Sequence, residues 1–252
     1  MPPDFLIVVA PRSGTSSLNH HLRQHHEIHM ARGKELHLFD KKWDRGIEWY
    51  RGQFHPDPGQ LSGEATPWYM YDPQALVRIG RTLPGIPLIV ALRNPIDQTY
   101  SRYLMRRAGG RERRKFAEAM ADYEPGGRYV EHLRHLPSSP LHVLVTEELA
   151  AEPEKVYSDL CRFLGVDDGF RPPDLGRVVN PYLEFRSPAL RRRARRWPMP
   201  VRRAVALVNN VHRRPPPLSA PLRGDLGTRF APHNAALSDY LGRDLSYWWP
   251  PE

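Results

Sequence analysis

The residues best placed to do chemistry form one short stretch, Pro11-Arg12-Ser13-Gly14-Thr15-Ser16-Ser17-Leu18. An apolar run from Phe5 to Ala10 precedes it, and a helical pattern with Leu18 and Leu22 four apart follows it. A strand that feeds a helix through so short a turn leaves the first helical N–H groups unpaired and aimed at one point. Those donors, with the positive end of the helix dipole, make a seat for a phosphate. Arg12 adds a permanent charge, and the hydroxyls of Ser13, Thr15 and Ser16 add donors. The competing reading is an ordinary strand–turn–helix corner with a surface arginine.

A second stretch has the same grammar. Pro87-Leu88-Ile89-Val90-Ala91-Leu92 is a continuous apolar run, as expected of a buried parallel strand. It ends in Arg93-Asn94-Pro95, and Pro95 suits the first position of a helix through Asp97, Tyr100, Ser101, Tyr103 and Leu104. Arg93 at the strand's end and Ser101, eight residues on, can converge on an anion at the carboxyl edge of a sheet. Two separated anion sites are therefore expected. Neither is a nucleotide-triphosphate loop: Gly14-Thr15 stand where G-x-x-x-x-G-K-[ST] requires Gly-Lys, and no glycine opens the motif. The dinucleotide fingerprint G-x-G-x-x-G is also missing.

Residues 11–18 resemble the 5′-phosphosulfate loop of sulfotransferases that use 3′-phosphoadenosine-5′-phosphosulfate. Leu92-Arg93-Asn94-Pro95, with Ser101, resembles the segment with which that family grips the 3′-phosphate. Leu141 to Leu149, continuing through Pro153-Glu154-Lys155-Val156 to Phe163-Leu164-Gly165-Val166, is similar to the family's strand, acidic turn and closing helix. In that helix Val156, Leu160, Phe163 and Leu164 share a stripe, and Gly165 is a natural stop. Leu241-Gly242-Arg243-Asp244-Leu245-Ser246-Tyr247-Trp248-Trp249 resembles the family's ending, so the resemblance runs over about residues 4–249. It implies an α/β fold with a central parallel sheet, phosphate-loop-like, flanked by helices, with a mostly helical C-terminal third, all in one domain over 1–252. It assigns Pro11, Arg12, Ser13, Gly14, Thr15, Ser16 and Ser17 to the 5′-phosphate, with Arg93 and Ser101 on the 3′-phosphate.

Between these loops, Arg32-Gly33-Lys34-Glu35-Leu36-His37-Leu38-Phe39-Asp40 resembles the K-E-x-H-F-F-D segment of heparan-sulfate and related carbohydrate sulfotransferases. Gly46-Ile47-Glu48-Trp49-Tyr50 resembles their G-x-x-W-Y. Glu35 and His37 are two apart, and in an extended segment that spacing sets both on one face. The resemblance makes Glu35 the general base on an acceptor hydroxyl, with His37 beside it orienting the acceptor or sharing the proton. The competing reading leaves Lys34 and Glu35 simply exposed and packs His37 under the loop. Two departures matter. Arg12 stands where related glycan enzymes carry Lys, so it keeps its charge but is a poor proton donor. Ala65, in Gly63-Glu64-Ala65-Thr66-Pro67-Trp68-Tyr69, stands where several relatives have a second Lys. The missing charge must then come from Lys34 or Arg12. Thr66 and Tyr69 are candidates to line the acceptor cleft.

Composition fits one domain with a single core: 252 residues, 40% of them hydrophobic. No window approaches the roughly 18 apolar residues of a membrane helix, and the N-terminal run reads as a strand, not a leader. One cysteine, Cys161, excludes an internal disulfide and fits a reducing compartment, so a cytoplasmic location is expected. The abundance of Arg over Lys points to a GC-rich, bacterial genome. Of the formal charge of +9, much sits in residues 185–224, which hold eleven Arg and no Asp or Glu. That segment could bind nucleic acid, acidic lipid, the donor or an anionic acceptor, or be a solvated face; no zinc-finger, RNA-binding or helix–turn–helix pattern supports a specific nucleic-acid partner. No metal is expected: His21 and His25, four apart, read as exposed helix positions with too few companions. The function expected is sulfuryl transfer to a hydroxyl of a glycan, lipid-linked sugar, phenol or small natural product, or to an amine. The alternatives are a small-molecule kinase on a similar phosphate-loop fold, disfavoured by the missing Gly-Lys-Ser/Thr and by Arg93 where a metal-binding Asp would end the strand, and a basic nucleic-acid-binding protein.

Overall fold

The computed structural model describes residues 2–8, 10–179, 182–194, 196–212 and 215–248. Trp249, named above, lies outside them, as do Val9 in the first apolar run and Arg195, Arg213 and Arg214 in the Arg-rich segment. Five parallel strands form the central sheet: β1 (Phe5–Ile7), β2 (Ile28–Met30), β3 (Leu61–Ala65), β4 (Leu88–Leu92) and β5 (Leu141–Val145), in the order β2-β3-β1-β4-β5. The order reverses at β1, which lies between β3 and β4. The carboxyl ends of β1 and β4 therefore open side by side, the place where open α/β sheets bind ligands. The register sets Leu6 against Leu88 and Ile7 against Ile89.

Alternation along the strands divides the core. Leu6, Leu88, Val90 and Leu92 face one layer, with α4 (Pro73–Thr82) and, from the chain's end, Leu237 and Trp248. Phe5, Ile7, Ile89 and Ala91 face the other, where α1 (Thr15–Leu22) and α9 (Pro153–Leu164) supply Leu18, Leu22, Tyr157 and Leu160. This is the period-two signature of strands covered on both faces. Helix α9 ends at Gly165, whose φ of 73° is the left-handed cap that glycine adopts without steric cost. Cys161 is buried in that helix, and burial pushes its thiol up to about 11, so it is inert at neutral pH.

Short helices α2 (Leu38–Lys41) and α3 (Gly46–Arg51) fill the β2–β3 connection. After β4 come α5 (Pro95–Ala108), α6 (Phe116–Tyr123) and α7 (Tyr129–Leu133), and α8 (Thr146–Ala151) follows β5. Pro95 opens α5, and the Asn94 side chain accepts from the Ile96 amide at 3.0 Å. The C-terminal third is helical, in α10 (Pro188–Ala194), α11 (Met199–Asn209) and α12 (Ala220–Leu241). It also holds a short antiparallel ribbon of β6 (Leu183–Phe185) and β7 (Asn210–His212), which the sequence did not announce. Trp248 is buried, and its carbonyl accepts from Asn94 Nδ2 at 3.1 Å, so the chain's end braces the turn after β4.

Candidate active site

The first loop runs from β1 to α1 through two left-handed residues, Arg12 at φ 77° and Gly14 at φ 79°. For glycine that conformation is free; for arginine it costs energy. Gly14 is the N-cap of α1 and no side chain caps the helix, so the amides of its first turn stay available to a ligand. Gln98 of α5 is fully buried and donates from Nε2 to the Pro11 carbonyl at 2.9 Å, which fixes the loop's entry. Ser13 and Thr15 turn inward and are buried; Ser16 and Ser17 remain partly exposed. The Ser17 hydroxyl accepts from the Val179 amide at 3.1 Å. The loop's outward donors are thus backbone amides and Ser16, a narrower set than the three hydroxyls expected.

The two anion sites are not separate. Arg12 Nε donates to Ser101 Oγ at 3.0 Å, and Arg93 Nη1 lies 3.5 Å from the Arg12 carbonyl. The left-handed turn at Arg12 throws its side chain across to α5, so both guanidiniums serve one continuous patch. Burial, and then the neighbouring Arg93 charge, lower the Arg12 pKa. Among the described residues no carboxylate pairs with either guanidinium. A desolvated arginine and a neighbouring like charge beside unpaired amides can seat an anion.

Opposite this patch, Glu35 and His37 meet, though not by the route expected. The segment is not extended: Glu35 has φ 61° and His37 φ 59°, both left-handed, and α2 starts at the next residue. The two-residue spacing therefore does not place them on one face of a strand. The fold instead bends the backbone over Ala65 and Thr66, whose carbonyl and hydroxyl accept from the Glu35 and His37 amides at 3.1 and 3.4 Å. His37 Nε2 then lies 3.6 Å from Glu35 Oε2, while His37 Nδ1 contacts Asp40 Oδ2 at 2.8 Å. Asp40 is almost buried, so it holds the ring's orientation with Nδ1–H donating. The contact with Glu35 and the hydrogen bond to Asp40 raise the His37 pKa, and the same His37 contact lowers that of Glu35.

Lys34 joins the two halves. Its Nζ donates to Ser16 Oγ at 2.6 Å and lies 3.6 Å from Glu35 Oε1. Of the two candidates for the charge missing at Ala65, Lys34 is the one at the junction. Thr66 and Tyr69 do not line a cleft. Both are buried and donate their hydroxyls to Glu64, as does Tyr50, and burial raises the Glu64 pKa. Glu64 is a fully buried anchor beneath the loop and is out of reach of an acceptor. Sequence reasoning did not single out Asp40 or Gln98. The His37-to-Asp40 spacing of three was a signal for the first; only tertiary structure shows the second.

Both histidines once read as exposed are buried, because α1 ends at Leu22 and His25 turns inward to place Nε2 2.9 Å from the Asp167 carbonyl. His20 and His21 meet Asp174, at 2.8 and 3.6 Å, a three-residue cluster assembled from distant sequence. Asp174 also accepts from Gln24 at 2.8 Å and Arg177 at 3.3 Å, and this web staples the 174–177 segment onto α1.

Fold and site together describe an α/β protein with a cationic strand–loop–helix corner and a carboxylate across from it. The family model for the sulfotransferase domain matches residues 2–170, and the chain belongs to that family, the sulfotransferases that use 3′-phosphoadenosine-5′-phosphosulfate. It is similar to mouse (Mus musculus) heparan sulfate glucosamine 3-O-sulfotransferase 6, 32% identical over 180 residues, 65% of this chain and 52% of that one. It is also similar to the membrane-associated sulfotransferase kil1 of Dictyostelium discoideum, 34% identical over 105 residues, 40% of this chain and 22% of that one. The matches thus span about half or less of the length of these relatives. Among solved structures, a sulfotransferase from Alicyclobacillus acidocaldarius superposes with a TM-score of 0.74 at 25% identity, covering 98% of this chain and 99% of that one.

Proposed function

We propose that the chain moves a sulfuryl group from 3′-phosphoadenosine-5′-phosphosulfate to the hydroxyl of an acceptor, with Glu35 as the base. The supporting observation is Lys34, whose ammonium touches Ser16 of the donor loop and faces Glu35, so that the carboxylate lies one side chain away from the anion patch. The residues suit the donor: Arg12 and the first amides of α1 receive the 5′-phosphate, and Arg93 with Ser101 receives the 3′-phosphate. An anion there offsets both the desolvation of Arg12 and its repulsion from Arg93.

Glu35 accepts the hydroxyl proton as the acceptor oxygen bonds to sulfur. As the bond from sulfur to the phosphate oxygen breaks on the opposite side, Arg12, Lys34 and the loop amides meet the charge left there. His37, gripped by Asp40, holds Glu35 in place and ionised. A glycan hydroxyl is the favoured acceptor, because the curated relatives that cover most of this chain are named for sulfating heparan sulfate glucosamine. Lipid-linked sugars and small natural products remain in the panel to be assayed with labelled donor. Glu35→Gln keeps the shape and removes the basicity, so nucleotide binding persists while kcat falls by roughly 10²–10⁴. His37→Ala costs less if it only orients. An unchanged kcat in Glu35→Gln would move the base to His37.

A further inference from the structure

The Arg-rich segment plays no part in the chemistry above. Its core is a small lobe in which the β6–β7 ribbon brackets α10 and α11. Asn209, buried at the end of α11, ties the lobe together: Oδ1 accepts from the Ser187 amide at 2.8 Å, and Nδ2 donates to the Ser187 carbonyl at 3.1 Å. The rest of α11 faces outward, with Leu207 85% and Val208 62% exposed, unusual for large aliphatic side chains. At about 100° per residue, Leu207, Pro200, Ala204, Val208 and Val201 fall on one continuous arc of about 120°, and Asn209 lies opposite it. Arg203 stands beside the arc, next to Leu207, and Arg202 lies on the far side near Asn209; both are exposed. Trp197, before the helix, is 40% exposed. Among the described residues no ion pair engages Arg193, Arg196, Arg202 or Arg203.

We propose that α11 lies in the plane of an anionic lipid surface, its aliphatic arc among the acyl chains and Arg203 at the headgroups. Two features select this partner. Residues 185–224 carry eleven Arg without one acidic residue, so a second copy docked face to face would set like charge against like. A nucleic acid or acidic polysaccharide would use the arginines and leave Leu207 and Val208 in water, whereas a bilayer interface takes both groups at once. No described helix is long and apolar enough to cross a membrane, so attachment through α11 would be peripheral.

The test is co-sedimentation of the full chain with phosphatidylcholine vesicles, with and without about one third phosphatidylglycerol. Binding is expected to need the anionic lipid, to weaken with salt and to shift Trp emission to the blue, a shift that Trp197→Phe reduces. Arg203→Ser should lower the partition coefficient about fivefold, and Arg202→Ser, on the far side of the helix, by less. Leu207→Ser with Val208→Ser should lower it at least about tenfold. All four positions are exposed, so these variants should fold, and an unchanged thermal shift with adenosine 3′,5′-bisphosphate checks this. Equal binding to neutral vesicles would overturn the proposal. So would anionic-vesicle binding that the aliphatic pair does not affect, with duplex DNA or heparin bound as tightly, since that describes a general polyanion patch. A dimer in sedimentation velocity that Leu207→Ser with Val208→Ser dissolves would assign the face to a second copy instead.

Discussion

Removing Arg93 tests the donor site most directly, because the structure makes opposite predictions for the free and the bound protein. In the free protein Arg93 is a like charge beside a desolvated Arg12 and has no carboxylate partner among the described residues. Arg93→Ala should therefore leave the unliganded melting temperature unchanged or slightly raise it. In the bound protein it deletes a charge-assisted contact worth about 1.5–3 kcal/mol, which weakens binding by roughly 10- to 150-fold. At a ligand concentration near 100 times Kd, adenosine 3′,5′-bisphosphate stabilises the parent by about 2.7 kcal/mol, or roughly 5–11 °C for a chain of this size. The same concentration should give the variant about 0.3–1.4 kcal/mol, a shift of roughly 1–5 °C. AMP and ATP lack the 3′-phosphate, so in the parent they should shift far less than the bisphosphate. Differential scanning fluorimetry measures all of these. Equal shifts for ATP and the bisphosphate would refute the assignment. So would an Arg93→Ala that destabilises the free protein yet keeps the full ligand shift, since Arg93 would then be structural.

His37 carries a pKa raised above its ordinary 6.5, chiefly by its contact with Glu35. A group raised on folding adds stability that is fully present below its unfolded value and is lost as pH rises through the folded value. The melting-temperature difference between the parent and His37→Gln should therefore be largest between about pH 5 and 6.5 and shrink above it; a difference growing toward pH 8 would reverse the reading. Activity should survive excess EDTA, because Lys34, Arg12 and the loop amides meet the leaving charge in the proposed reaction; loss on chelation with recovery on Mg²⁺ would favour a kinase-like reaction.

The two strand–turn–helix corners were legible because they rest on local grammar. An apolar strand, a short turn with Arg or Gly, and a helix start are all written within ten residues, and the helix pattern carries Ser101 at a countable distance from Arg93. What the sequence did not show was how the halves join. The Arg12-to-Ser101 contact spans 89 positions and depends on a positive φ that no periodicity encodes. The Glu35–His37 meeting was expected for the wrong geometric reason, since the deciding contacts come from Ala65 and Thr66 on β3 and its exit. Thr66 and Tyr69 read as a possible cleft because polar and aromatic residues look alike in either role; only burial separates a buried anchor from a binding wall. The β6–β7 ribbon was missed because strands of three residues in a basic stretch show no alternation.

Among the described residues, the three non-glycine residues with positive φ are Arg12, Glu35 and His37, and each holds a group assigned to the proposed reaction. Such backbone costs of order 1–2 kcal/mol per residue and persists only where the surroundings over-determine it. At Glu35 the surroundings are the amide's bond to the Ala65 carbonyl and the buried Glu64 network below, neither of which involves the Glu35 side chain. The side chain's own contacts, to Lys34 and His37 at 3.6 Å, are partly exposed ion pairs worth under about 1 kcal/mol. Glu35→Gly should therefore relieve strain about as large as the contacts it loses. Its melting temperature should stay within about 3 °C of the parent or exceed it, while turnover is lost and nucleotide binding is kept. A drop of many degrees would mean that the Glu35 side chain shapes the loop, and the strain would then be held by the catalytic contacts themselves.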